Sequence, residues 1–585
     1  MRGAAGSSRQ TRAALFCSQA TRLAVMLHPT RPAAMFCLTR LAVMTYGAFL
    51  LVAPAAAFPL SDVTNPSVVP SASAAASAAA PDASDASALA HQQQLLSPFG
   101  GAVVGPGWTF TPSLTLQEAL NDNVFQTESD RRWDLISYVT PGLAISGDTQ
   151  NVQLRFEYQP TLEYYARNSS LNQLAQQLNA IGDVTLWQDH LYLDLRAMAG
   201  LASASGSVPG QGFGGTTGQP NNASIGLTRQ NSTQFTSFAA SPYFLQQFDT
   251  YGTLKLGYTL SYSSTSNAAG LVPLPLNSTG PAATQITNEG VIQYTTGTFL
   301  ERTSDTVLID AKQFRGTGET QSGHSDTATN QVNYVLNREI AVFGAFGYED
   351  INYGGINALA IHDLTWQVGT TLTPNARSTL TMSYGHQQGA DSLSVSGLYA
   401  ATPRTSVNVS FSQQLGTELQ SLETQLAAAD INNTGTLVNS RTGAPLVTNN
   451  NVLGTATQLY RSETANFGTT TQLDRDTISI NLQYAAYTAA GAGASGSTNG
   501  VTGTANWTHS LRDDLTLNGS VSYGLRWFTD PGGRNNFAAT AASLRYAISA
   551  TLSSTLSYTF YDLNSTDQGQ SLYEDVLLLS LTKQF

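Results

Sequence analysis

The chain has 585 residues, a formal net charge of −12 and only 11% charged residues, against about 25% in ordinary soluble proteins. The acidic balance excludes a nucleic-acid-binding protein, which needs an excess of Lys and Arg to neutralise phosphates. Mean hydropathy is −0.12, and beyond the N-terminus no apolar run reaches the about 18 residues of a membrane helix. What remains is a soluble all-β protein or a membrane β-barrel.

The N-terminus points to export. Arg2, Arg9, Arg12, Arg22, Arg31 and Arg40 occur without an acidic residue, and an apolar stretch runs from Leu41 to Ala57. Ala55-Ala56-Ala57 supplies a small-residue cleavage site, so residues 1–57 read as a signal peptide with Phe58 as the mature N-terminus. The basic region is long, and a start at Met35 would leave a signal peptide of ordinary size. Both cysteines, Cys17 and Cys37, precede the cleavage site, so the mature chain has no disulfide or thiolate metal ligand. Removing the signal leaves 21 basic against 39 acidic residues, a net charge of −18. Residues 58–105 are Ala, Ser and Pro with a Gln92-Gln93-Gln94 run, a composition that buries no core and reads as a disordered linker. The segment is too short and too polar for a folded plug.

Residues 106–585 read as the barrel. From Trp108 the hydrophobic period is two: Val152, Leu154, Phe156 and Tyr158 alternate with Gln153, Arg155 and Glu157. Leu191, Leu193 and Leu195 alternate with Tyr192, Asp194 and Arg196. The same pattern holds for Leu254 to Tyr262, Ile478 to Tyr484, Leu515 to Trp527 and Leu552 to Phe560. One face is apolar and the other neutral-polar, as between lipid and a wet lumen. Tilted strands need about 9–11 residues to cross a bilayer, and many of these runs are at least that long.

Tight turns, such as Asp249-Thr250, Asn337-Arg338-Glu339, Asp474-Arg475-Asp476 and Arg512-Asp513-Asp514, alternate with longer connections such as 121–132, 202–232, 264–287, 414–458 and 529–536. The link near Gly389 is the short exception. The expectation is an all-β fold: a closed antiparallel transmembrane barrel of about 22 strands, with a range of 18–22. An even count puts both termini on the short-turn, periplasmic side. Tyr164, Tyr165, Tyr262, Tyr348, Tyr353, Tyr484, Tyr487, Tyr523, Trp527, Tyr558 and Tyr561 gather towards the long loops, and Trp108, Trp187, Phe248 and Tyr251 towards the turns, which predicts two aromatic girdles.

Inside the 414–458 connection the period changes. Leu415, Leu419, Leu422 and Leu426, with Glu418 and Glu423 between them, have helical spacing. A short surface helix is the simpler expectation; a constriction folded into the lumen is the alternative. The final strand places Leu577, Leu579, Leu581 and Phe585 on one face. Its aromatic ending resembles the assembly signal of Gram-negative outer-membrane barrels, although Lys583 stands where that pattern has a hydrophobic residue.

Parity also places Arg155, Glu157, Asp194, Arg196, Lys255, Asp310, Lys312, Arg526 and Arg545 in the lumen, where charges set a field that tunes selectivity. Pairing across strands, with Arg155 and Glu157 satisfying each other, is the simpler expectation for them. A wall otherwise of Ser, Thr, Asn and Gln suits a hydroxyl-rich solute such as a glycan. The mature histidines are His91, His190, His324, His362, His386 and His509. They form no zinc-protease, serine-hydrolase or phosphate-loop motif, so no enzyme, cofactor or metal is expected. His386 shares parity with Leu380, Met382 and Tyr384 and should face lipid.

The run Leu120-Asn121-Asp122-Asn123-Val124, then Leu135, Thr140-Pro141-Gly142, Phe156-Glu157-Tyr158 and Tyr164-Tyr165, continues with Ser241-Pro242, Gly347-Tyr348-Glu349 and Tyr384-Gly385. Together these resemble the outer-membrane β-barrel family associated with the PEP-CTERM/exosortase system, a β-barrel porin type found near exopolysaccharide genes. The resemblance implies an outer-membrane location among lipids and lipopolysaccharide, insertion by the barrel assembly machinery, and a part in exopolysaccharide or envelope-protein export. It supplies no site residues. The expected function is a porin-like pore or conduit; the alternative is a non-conducting structural or assembly protein of the outer envelope with a loop-filled lumen.

Overall fold

The computed structural model describes residues 102–105, 107–203, 232–265, 283–317, 322–355, 358–431, 437–439, 458–529, 532–566 and 571–585. The signal peptide (1–57) and all but the last few residues of the linker (58–105) lie outside the described residues. Ala102–Gly105, read from sequence as the end of that linker, forms a short strand that folds back on the first stave, with Ala102 opposite Phe110.

The staves follow one another around the wall as Trp108–Asn121 (β1), Asp134–Asp148 (β2), the broken strand Val152–Tyr158 and Thr161–Tyr165 (β3), and the broken strand Gln173–Ala175 and Leu178–Trp187 (β4). Next come Leu191–Ser203 (β5), Ser232–Gln247 (β6), Gly252–Thr265 (β7), Ala283–Thr296 (β8), Thr303–Gly316 (β9) and Ser322–Val335 (β10). Ile340–Tyr353 (β11), Leu359–Asn375 (β12), Ser378–Gln387 (β13), Ala390–Thr402 (β14) and Thr405–Gly416 (β15) lead to the helix Glu418–Ala427 (α1). Tyr460–Gln472 (β16), Asp476–Ala489 (β17), Ser497–Arg512 (β18), Leu515–Thr529 (β19), Gly532–Ser549 (β20), Leu552–Ser565 (β21) and Leu572–Gln584 (β22) complete the set. Each pairs antiparallel with its neighbours, and β22 pairs with β1 from Ser113↔Gln584 to Asn121↔Val576. The fold is a closed barrel of 22 strands, with no free edge to aggregate. The break in β3 falls at Gln159-Pro160, where proline cannot donate to the ladder.

The pleat divides the wall into two chemistries. On β7, Leu256, Tyr258, Leu260 and Tyr262 are exposed outward while Ser261 and Ser263 are buried inward. On β22, Leu577, Leu579, Leu581 and Phe585 face out and Ser580, Thr582 and Gln584 face in. Strands of 13–18 residues are common here, against about 5–6 in soluble folds, and an apolar band of that height suits a bilayer. Among the described residues no helix is long and apolar enough to cross a membrane.

Two expectations about the wall need correction. The connection expected at 529–536 is shorter, because β19 runs to Thr529 and β20 starts at Gly532. Of the tyrosines assigned to the outer girdle, Tyr165, Tyr353 and Tyr561 are buried on the inner face, and Tyr487 stacks on Tyr460 there. Tyr164 and Tyr165 are adjacent, so only one of them can face out. The exposed girdle near the long loops comprises Tyr164, Tyr262, Tyr348, Tyr523, Trp527 and Tyr558, and Trp187, Phe248 and Tyr251 are exposed near the turns. The short β13–β14 link is a two-residue turn with Gln388 at φ 53° and Gly389 at φ 67°, the left-handed pair of a tight hairpin. It lowers the rim there.

The closing strand is fastened at both ends. Phe585 N–H donates to Pro112 O at 2.9 Å. Lys583 lies on the outer row, but its amine reaches the Thr551 hydroxyl in the β20–β21 turn at 2.6 Å, so the stem covers apolar surface while the charge leaves the band. At the long-loop end, the Asn121-Asp122-Asn123 run clasps β22. The Asp122 carboxylate accepts from Asp575 N–H at 2.8 Å, and the Asn123 amide donates to Tyr573 O at 3.0 Å.

Candidate functional site: the lumen and its inward helix

The helix is the feature that organises the lumen. Thr417 caps it: its hydroxyl accepts from Gln420 N–H at 3.3 Å, and the Gln420 side chain accepts from Thr417 N–H at 3.0 Å. This reciprocal box starts the helix one turn later than the leucine spacing suggested. Leu415 consequently lies outside α1, at the end of β15, and packs with Phe314, Ile351, Tyr353 and Leu459.

The surface-helix expectation fails. Leu419, Leu422 and Leu426 are 6%, 0% and 1% exposed, packed with Met198, Phe235 and Ala429 and against Ile181, Ala239 and Ala283. Met198, Phe235 and Ala239 occupy the inward rows of β5 and β6, so the helix lies inside. The physical reason is local: the wall there offers an apolar patch amid polar neighbours, and burying three leucines contributes roughly 1.5–3 kcal/mol each.

Polar latches hold both ends. Arg196, on β5, donates from Nη1 to the carbonyl oxygens of Leu426, Ala427 and Ala429 at 3.2, 2.9 and 2.7 Å. Its Nε and Nη2 pair with Asp194 at 2.8 and 2.9 Å. A guanidinium at a helix C-terminus satisfies orphan carbonyls and opposes the negative end of the dipole. At the other end, Tyr460 donates to Glu418 Oε2 at 3.0 Å and Tyr353 to Gln420 Oε1 at 3.2 Å. In the middle, Glu423 accepts from the Thr287 hydroxyl at 3.0 and 3.1 Å and from the Gln285 amide at 3.3 Å, both on β8. Burial pushes the Glu423 carboxyl up to about 7, against the lowering effect of these hydrogen bonds and that from Ser261.

The nine residues singled out as lumen lining fall on inward rows by register, but their partners differ. Arg196 and Asp194 form the latch. Lys312 bridges Glu289 at 2.9 Å and Asp310 at 3.2 Å. Lys255 stands 4.5 Å from the Tyr243 ring, which in turn stacks on Tyr192 at 5.1 Å. Arg155 and Glu157 do not satisfy each other as expected: Arg155 bonds Ser146 and Glu157 accepts from Gln159. Arg526 is buried beside Phe528, and Arg545 lies between Thr516 and Thr555.

Sequence reasoning missed several inward acids: Glu289, Glu349 and Glu574. The signal was available. Ile286 and Ile292, Phe346 and Tyr348, and Tyr573 and Leu577 fix the outward rows, which turns the intervening glutamates inward. The partners of Glu423 could not be read, because Thr287 and Gln285 are over 130 residues away.

From β16 to β22 and on to β1 the inner wall is different. Its hydroxyls and amides bond one another across strands, as in Thr504–Ser522 at 3.0 Å, Thr508–Asn518 at 2.9 Å and Thr115–Thr582 at 3.1 Å.

The described histidines lie on the outer wall, and His91 lies outside the described residues. His386 sits between Asp363 at 3.0 Å and Asp391 at 3.1 Å, opposite Trp366. His324 and His362 both contact Asp350, at 3.3 and 2.9 Å. His509 meets Asp476 at 2.8 Å, and Asp476 also accepts from the Trp507 indole. These are imidazole–carboxylate contacts on the outer face, and among the described residues no group of His, Cys, Asp and Glu could hold a metal ion.

Residues 470–585 match the protein family described as "Putative beta-barrel porin 2". No curated protein gives a significant match. Among solved structures, the FrpB iron transporter from Neisseria meningitidis (F5-1 variant) is similar at 10% identity and a TM-score of 0.45, covering 84% of each chain. The ferric-catecholate import receptor Fiu from E. coli K12 is similar at 9% identity and a TM-score of 0.43, covering 83% of this chain and 82% of that one. The siderophore receptor PiuA from Acinetobacter baumannii is similar at 9% identity and a TM-score of 0.44, with the same coverage.

Proposed function

We propose that this porin-like outer-membrane β-barrel is a conduit narrowed by α1, passing polar solutes along its neutral wall. The observation that carries the reading is the asymmetry of the lumen. The helix lies along the charged wall of β5–β9, while the described part of the opposite wall presents mostly hydroxyl and amide groups to the interior, with Arg526, Arg545 and Glu574 spread among them. Neutral donors and acceptors exchange hydrogen bonds with a hydroxyl-rich solute without the desolvation cost of charge. A glycan fits that chemistry, and the resemblance in Leu120–Val124 and the later motifs supports a part in exopolysaccharide or envelope-protein export.

In this reading the short turns and both chain termini face the periplasm. The assembly machinery reads Leu577, Leu579, Leu581 and Phe585, and lipids with lipopolysaccharide cover the apolar band. Arg155, Lys255 and Arg545 line the short-turn half of the path, and Arg526 lines the long-loop half.

The test is planar-bilayer conductance of the refolded full chain, with and without the latch. Channels in the wild type that widen in Arg196→Ala support the conduit. Absence of current in the wild type and in a chain lacking residues 417–458 would sink it. The second reading, a non-conducting envelope protein with a filled lumen, is favoured by one observation: α1 is fixed at both ends and through its leucines, as a permanent plug would be.

A further inference from the structure

The contacts that dock α1 are apolar packing, a guanidinium latch and two carboxylates. Leu419, Leu422 and Leu426 pack apolar surface, Arg196 donates to the carbonyls at the C-terminal end, and Glu418 accepts from Tyr460 at the other end. Glu423 lies between them. Its carboxyl faces into the wall, where Thr287 and Gln285 of β8 and Ser261 of β7 surround it.

The charge that favours the Glu423 carboxylate is already engaged elsewhere. From β9, Lys312 faces Glu423, but it bridges Glu289 of β8 and Asp310 of its own strand. From β5, Asp194 offsets Arg196. Asp183 on β4 and Asp430 after the helix add negative charge beside that pair, and Lys255 on β7 adds positive charge. The inner row of β6 carries one titratable group, Tyr243, at its short-turn end. At the far end of α1, Glu418 accepts from Tyr460, and Tyr353 bonds Gln420.

We propose that α1 is a gate on the conduit, docked at acid pH and released as the medium turns alkaline, with Glu423 as the titrating group and Arg196 as the constant latch. The gate rests on the conduit reading for its consequence, though not for its movement.

The direction follows from linkage. The docked helix raises the Glu423 carboxyl from its ordinary 4.5 to about 7, so the docked state binds the proton more tightly than the released one. Protonation therefore favours docking. The extra stabilisation is complete below the ordinary value and is lost as pH rises through about 7. A shift of that size weakens the docking equilibrium by roughly two orders of magnitude across the range.

Two readouts separate the gate from the pore. In a full chain with Cys17 and Cys37 changed to Ser, Ala239→Cys places a thiol on the wall under the helix, and Ala283→Cys provides a second site should the first disturb folding. Heat-modifiable gel mobility confirms the folded barrel in each case. Labelling is measured with a thiol disulfide reagent, and each rate is corrected for thiolate fraction by a free-thiol control. The corrected rate at pH 8.5 is expected to exceed that at pH 5.5 at least tenfold. Adding Glu423→Gln should hold it at the low value throughout, because the neutral amide cannot ionise. Bilayer conductance should rise over the same interval and lose that rise in E423Q. Equal labelling at both pH values, or a rise that survives E423Q, would overturn the gate. Labelling that follows pH while no variant conducts would support the movement of α1 and remove the conduit.

Discussion

The inner wall of β5–β9 and the inner wall of β16–β22 are built from the same ladder and the same period, yet they do different work. Under α1 the inward row carries Met198, Phe235 and Ala239 among Asp194, Arg196, Glu289, Asp310 and Lys312. Across the barrel it carries Thr504, Ser522, Asn518, Ser543, Ser580 and Thr582, with Arg526, Arg545 and Glu574 spread among them. The first wall is shaped to hold another part of the chain: apolar area supplies adhesion and fixed charges supply orientation. The second is held largely by cross-strand hydroxyl bonds worth about 0.2–1 kcal/mol each, and it keeps lone pairs for whatever passes. A wall made to bind the chain gathers charge and hydrocarbon in one patch, whereas a wall made to be passed over spreads them thinly.

This contrast can be broken most strongly at Arg196. Arg196→Ala strands Asp194 and leaves three carbonyls without their donor. Breaking one partner of a buried ion pair costs about 3–5 kcal/mol, so α1 is expected to leave the wall at every pH. Single-channel conductance should rise several-fold, and a thiol at position 239 should label quickly even in acid. Leu422→Ala comes next. Truncating a fully buried leucine costs about 2–5 kcal/mol, and partial release of α1 should appear as frequent switching between two conductance levels.

The opposite wall sharpens the comparison by responding weakly. Thr504→Ala with Ser522→Ala removes one cross-strand bond and should lower the stability read by heat-modifiable mobility by about 1 kcal/mol or less. Conductance should stay within the scatter of the wild type. Arg545→Glu inverts the charge between Thr516 and Thr555, and should move the reversal potential in a salt gradient towards cation preference. The smallest effect is expected at the seam. Lys583→Leu restores the hydrophobic residue of the assembly pattern but gives up the bond to Thr551. Near the interface a lysine costs only about 0–1 kcal/mol, so the change should alter refolding yield by little.

Much of the fold was legible because a barrel is written locally. Alternation in stretches such as Leu254–Tyr262 fixes which side chains meet lipid, and turns such as Asp474-Arg475-Asp476 fix where the chain reverses. The strand count and the inward parity of Arg155, Asp310 or Arg526 need no knowledge of distant residues. The same rule, applied to every strand, would have found Glu289, Glu349 and Glu574. It also sets Tyr165, Tyr353 and Tyr561 apart from the girdle, since a tyrosine near a strand end faces lipid only if its parity agrees.

The candidate site was less legible. The leucine spacing in 415–426 announced a helix, and the Thr417–Gln420 box marked its start, but neither says what lies against the leucines. Amphipathy reports that one face must be buried; it does not report the surface that buries it. That depends on Arg196 meeting Ala429 across 233 residues of chain and Glu423 meeting Thr287 across 136. By itself, then, the sequence determined a closed, even-stranded barrel with an apolar outside, a polar inside and an amphipathic helix in its longest described connection. Only the tertiary structure decided that the helix turns inward and which wall receives it. Period and turn chemistry act between neighbours, whereas a docking surface exists only once closure has brought distant strands side by side.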